Sequence, residues 1–159
     1  MDQNKKKQWL VLIMCAAAVI LLCVLFSGIS ENAEKDDSHS FSVYMTEILS
    51  SNSIYTDSLG HTHDFLELYN SADAPIDISG FKLTDDQKSI GYVIPEGTIL
   101  GPGEYLVIWC EKDNDEGIAD FSISKEGGEV IYLMNRKNVI IDTVSTLPCK
   151  SNMSMVLSG

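Results

Sequence analysis

Apolar and polar positions divide the chain into two regimes. Residues 9–26 (WLVLIMCAAAVILLCVLF) form an uncharged apolar run, extendable through Ser27, Gly28 and Ile29. At about 1.5 Å per residue, a helix over 9–29 reaches about 30 Å, the thickness of bilayer hydrocarbon. No polar face interrupts it, as one would in an amphipathic core helix. The run therefore predicts one transmembrane helix over 9–29. From Phe41 onward the pattern becomes short apolar stretches at 41–45, 65–69, 76–78, 81–83, 105–109, 130–133, 139–141 and 153–156, separated by Gly, Pro, Asp and Asn. Partial alternation with a period of two is the pattern of half-buried strands. Runs spaced by roughly ten residues predict an all-β sandwich or barrel. The organisation expected is a basic segment over 1–8, the apolar helix over 9–29, a flexible acidic spacer over 30–40 and a β domain over 41–159.

Charge adds an orientation to this picture. Lys5, Lys6 and Lys7 precede the apolar run, whereas Glu31, Glu34, Asp36 and Asp37 are among the charges that follow it. That asymmetry places the amino terminus in the cytoplasm and the β domain outside the cell, anchored to the membrane through residues 9–29. A cleaved secretory signal is the rival reading, because Gly28 and Ser30 supply small residues before a cut. The 159 residues hold 11 Lys and Arg against 23 Asp and Glu, a net charge of -12. Such a surface repels phosphate backbones, which excludes nucleic acid as a partner.

Turn chemistry fits the strands. Pro75 cannot donate in a ladder and marks a connection, and Gly80 permits a bend between two apolar runs. Gly97, Gly101, Gly103, Gly127 and Gly128 read as backbone geometry, since no glycine-rich loop leads into a helix with a lysine as a phosphate loop requires.

In order along the chain stand MTEILSSN (45–52), FLELYNS (65–71), PIDISGFKLTD (75–85), IPEGT (94–98), GPGEYLVIW (101–109), FSISKEGGEV (121–130) and DTV (142–144). Together they resemble the signature of the lamin-tail domain, an immunoglobulin-like β-sandwich, over about residues 42–157. The insertion at 52–64 is similar to bacterial copies that precede a CotH-type spore-coat kinase-like domain. Phe65 and Phe81 stand where many relatives carry tryptophan. The resemblance implies structural roles for Glu47, Glu67, Asn70, Gly80, Trp109, Gly127 and Gly128. It implies a non-catalytic binding, adhesion or assembly module, here tethered to the membrane, with an extracellular protein or glycan as partner. The alternative is a targeting or accessory portion of a larger CotH-like surface or spore-coat protein.

Few residues offer chemistry, and the domain is expected not to be an enzyme. No serine sits in G-x-S-x-G. Asp57, His61, His63 and Asp64 form a polar cluster in the insertion, where H-x-H spacing can put both imidazoles on one side of an extended segment around zinc. A solvated loop is the competing reading. Asp85-Asp86 and Asp113-Asn114-Asp115-Glu116 are acidic but lack the twelve-residue calcium-loop spacing; calcium enters only if they prove adjacent. No cofactor is required. Cys15 and Cys23 lie in the apolar run. Cys110 and Cys149 are candidates for a disulfide, which would contribute on the order of 4 kcal/mol; two free thiols are the alternative.

Overall fold

The computed structural model of the chain describes residues 40–113 and 118–157. A single 3-10 turn, Ser40–Ser42, leads into β1 (Val43–Leu49), which pairs antiparallel with β2 (Asp64–Asn70). β7 (Tyr105–Cys110) extends this sheet beside β2, and β10 (Ser154–Val156) extends it beside β1, giving the order β10-β1-β2-β7. The second sheet has the order β5-β4-β8-β9, built from β4 (Lys82–Thr84), β5 (Tyr92–Val93), β8 (Val130–Met134) and β9 (Ile140–Ser145). A two-stranded antiparallel ladder joins β3 (Ile76–Asp77) to β6 (Ile99–Leu100).

Alternation decides what is buried. Leu66 and Leu68 of β2 point inward with Val43 and Met45 of β1, against Leu83, Ile131 and Leu133 of the second sheet. Phe81, Ile94, Phe121 and Ile123 close the core from the connections. Strict alternation from Val43 would bury Glu47. A bulge between Met45 and Glu47 inserts Thr46 and shifts the parity, so Ile48 turns inward and Glu47 stays half-buried on the outer face. The displaced Met45 N–H donates to Asp142 Oδ2 of β9 at 2.8 Å, tying one sheet to the other.

The outer face of the first sheet carries the remaining parity. Leu49, Phe65 and Trp109 lie in register across β1, β2 and β7, and Tyr44, Tyr69 and Tyr105 form a second row. Phe65 packs edge-on to Trp109, with centroids 5.5 Å apart, and Tyr55 of the 50–63 connection packs edge-on to Phe65 at 6.2 Å. The connection therefore folds back over this face, which explains why Leu49 and Phe65 are buried there. Its base is fastened to the turn before β10: Ser53 N–H donates to Asn152 Oδ1 at 2.7 Å, and Asn152 N–H donates to Ser51 O at 3.2 Å.

The fold expectation is corrected in one part. The all-β sandwich stands, but among the described residues no helix is long and apolar enough to cross a membrane. The one helical turn described, three residues at about 2 Å each, is far short of a bilayer. Residues 9–29, with Cys15 and Cys23, lie outside the described residues, as does most of the 30–40 spacer including His39. The membrane as partner, the single-pass placement with a cytoplasmic amino terminus and the tethered function all rested on that helix and are withdrawn with it.

Candidate metal centre

The inserted connection is shaped by two side chains. Asn52 Oδ1 accepts the N–H groups of Ile54 and Tyr55 at 3.0 and 2.9 Å, while its Nδ2 donates to the carbonyls of Tyr55 and His63, both at 2.7 Å. Asp57 Oδ1 accepts the N–H groups of Leu59 and His61 at 2.8 and 2.9 Å, and Asp57 N–H donates to His61 O at 2.9 Å. This closed turn brings residues 57 and 61 together. The His61 N–H above all, then that of Leu59 and the neighbouring imidazole charges, hold the Asp57 carboxyl below its usual range against the opposing effect of desolvation.

With Oδ1 committed to the turn, Asp57 Oδ2 faces His63 Nε2 at 3.5 Å and His61 Nδ1 at 3.8 Å. The three donor groups lie within 4.8 Å of one another. Two ligands about 2.1 Å from a tetrahedral ion are separated by about 3.4 Å, so these spacings need little adjustment to hold one. His63 is the floor of the site, its side chain 7 % exposed, and His61 the outer wall at 58 %. Glu111 Oε2 touches His63 Nδ1 from the opposite side, outside hydrogen-bond geometry, so that Nδ1 has no hydrogen bond. The spacing and the donor chemistry of the three residues fit a metal.

A family model for the Lamin Tail Domain matches residues 39–147. The chain belongs to the Lamin Tail Domain family. The match is to the family as a whole, and no curated protein matches the chain. Lamin-tail domains are non-catalytic binding modules, and the expected membrane tether of this one does not stand.

Asp64, grouped in sequence with the metal donors, is not beside them in this lamin-tail domain. Its two oxygens accept the N–H groups of Ser51 at 2.7 Å and Ile123 at 2.9 Å, joining the base of the insertion to the 121–123 segment. Glu111 was missed in the sequence because it lies far from His63 along the chain; the Asp64–Cys110 register of β2 and β7 makes them neighbours. Trp109, read only as a signature residue, also lies against the site, 6.4 Å from the His63 ring. Glu47 is in register with Glu67, whose Oε1 accepts the Thr46 hydroxyl at 2.7 Å. Gly80 is a left-handed turn residue before β4. Of the acidic loops, Asp86 Oδ1 accepts Lys88 N–H at 2.9 Å, and 114–117 lie outside the described residues.

The disulfide weighed between Cys110 and Cys149 is not formed: both are free thiols. Cys110 is buried at the end of β7 with its thiol directed to Ile108 O, while Cys149 is half-buried in the connection before β10. Burial first, then the Asp64 charge, push the Cys110 thiol far up, so its reactive thiolate is suppressed. Iodoacetamide at neutral pH is expected to modify Cys149 in the folded protein and Cys110 only after unfolding. Peptide mass mapping checks this, and equal labelling rates in the native state would refute it.

Proposed function

We propose that this lamin-tail domain is a non-catalytic binding module whose recognition end is the 52–63 insertion, and that Asp57, His61 and His63 hold a zinc-class divalent ion there. The supporting observation is the convergence of two imidazole nitrogens and one ionised carboxylate within 4.8 Å. Imidazole-rich sets suit zinc and its transition-metal neighbours, whereas calcium takes six to eight oxygens. The ion would fasten the outer part of an insertion whose base is already tied to Asn152. That insertion presents Ile54, Tyr55 and Leu59 at 64 %, 55 % and 67 % exposure, an apolar surface suited to protein contact.

Calorimetric titration of the full chain tests this reading. Zinc is expected to bind at one equivalent and calcium not at all, and joint replacement His61→Ala with His63→Ala is expected to weaken zinc by more than about 100-fold. No zinc uptake by the unaltered chain at micromolar concentrations would sink the reading. The narrower likeness, to bacterial domains preceding CotH-type kinase-like domains, is supported by the same insertion. It loses that support if such domains carry insertions without a corresponding histidine pair.

A further inference from the structure

Resting on the zinc-class reading, we infer that the ion keeps one coordination position on the solvent side and that a carboxylate from a partner protein fills it. All three donors come from one connection, Asp57 and His61 from its closed turn and His63 from the stretch leading into β2, and among the described residues no fourth histidine, cysteine or carboxylate joins the group. Glu111 does not complete the set: it touches Nδ1 of His63, whereas Nε2 faces Asp57, so Glu111 stands behind a ligand as a positioning residue. A carboxylate on that side of a metal-bound imidazole orients the ring once the Nδ1–H donates to it. With buried His63 as floor and exposed His61 as wall, the remaining direction is outward.

Charge selects the occupant. A divalent ion with two neutral imidazoles and one carboxylate as its ligands retains a single positive charge at its open face, with Glu111 set behind His63 on the far side, which favours an anionic fourth ligand. The rest of the surface is hostile to such a group, since the chain carries a net charge of -12. The ion is then a local point of attraction that sets where an acidic side chain docks, and exposed Ile54, Tyr55 and Leu59 of the same insertion supply apolar contact around it. In a non-catalytic family an open position serves binding in place of water activation.

The test uses the full chain loaded with cobalt(II), whose visible d–d absorption reports its ligands. Titration with acetate, at ionic strength held by perchlorate, is expected to give a saturable spectral change while cobalt stays bound. Glu111→Ala is expected to keep that response with weaker cobalt binding, by about 10- to 100-fold. A glutamate-containing peptide is expected to bind the cobalt form at least about tenfold more tightly than the metal-free form, and its glutamine counterpart equally to both. Cobalt binding with no acetate response overturns this inference alone, as does a response seen only in Glu111→Ala, because either means that the protein fills the position itself. Acetate that strips the metal, or a peptide indifferent to it, overturns it as well. Failure of the unaltered chain to bind cobalt overturns the zinc-class reading too.

Discussion

Asn70→Ala is expected to destabilise the lamin-tail domain by about 3–5 kcal/mol, lowering the midpoint of thermal unfolding by roughly 10–20 °C. Asn70 ends β2, and its side chain is fully buried. Nδ2 donates to the carbonyls of Ala74, Leu100 and Gly101 at 2.9, 2.9 and 3.0 Å, and Oδ1 accepts Ala72 N–H at 2.9 Å. Its backbone joins the same knot, donating to Glu104 O and accepting from Gly103 N–H. One side chain thus holds the turn after β2, the end of β6 and the turn into β7. Alanine deletes all four side-chain bonds and strands the buried Leu100 carbonyl, at a cost of about 1–3 kcal/mol, while the part-buried carbonyls of Ala74 and Gly101 lose their partner as well. Asn70→Asp is expected to cost at least as much, because it keeps the acceptor for Ala72 but brings a carboxylate against three carbonyl oxygens. Denaturant unfolding of both variants checks this; a loss below about 1 kcal/mol for Asn70→Ala would mean that the knot is held by its backbone.

The strands that carry the core were legible because their alternation is local. The stretches at 65–69, 105–109 and 130–133 correspond to β2, β7 and β8 within one residue at either end. β5 and β6, two residues each, were not recognisable as strands, since a pair such as Tyr92–Val93 exists only through its partner β4. Phe121 and Ile123 show the opposite case. They are buried with exposed Ser122 between them, the pattern of a strand, yet Ile123 N–H goes to the Asp64 carboxylate instead of a ladder. The candidate site divides in the same way. Asp57, His61 and His63 lie within seven residues and were readable as a group, whereas Glu111 enters only through strand register. Asp64 looked equivalent to its neighbours in sequence, but the first residue of β2 turns its carboxylate to Ser51 and Ile123. Sequence proximity cannot distinguish a carboxylate facing an open site from one consumed by backbone donors.

Gly127→Ala is expected to cost about 3–5 kcal/mol, and Gly128→Ala only about 1–2 kcal/mol, although the two glycines are adjacent parts of one signature. Both occupy the left-handed region, with φ of 68° and 85°, so each substitution pays the penalty of a Cβ beside its own carbonyl. The surroundings separate them. A Cβ on Gly127 would sit 2.6 Å from the Leu147 carbonyl carbon, 2.7 Å from Pro148 N and 2.9 Å from Leu147 Cα, all backbone atoms that cannot rotate away. A Cβ on Gly128 meets nothing within 4 Å. The 147–148 segment cannot retreat freely, because Thr146 N–H donates to Glu129 O at 2.8 Å on one side and Cys149 N–H to Lys125 O at 3.0 Å on the other. Relieving the clash therefore means loosening one of these bonds and the junction between β8 and the end of β9. Unfolding of the two variants in parallel gives the contact contribution by difference, since the conformational penalty is common to both. A gap near 2 kcal/mol assigns Gly127 to close packing under the 147–148 backbone, and equal losses would show that the left-handed turn alone is what the glycine pair supplies.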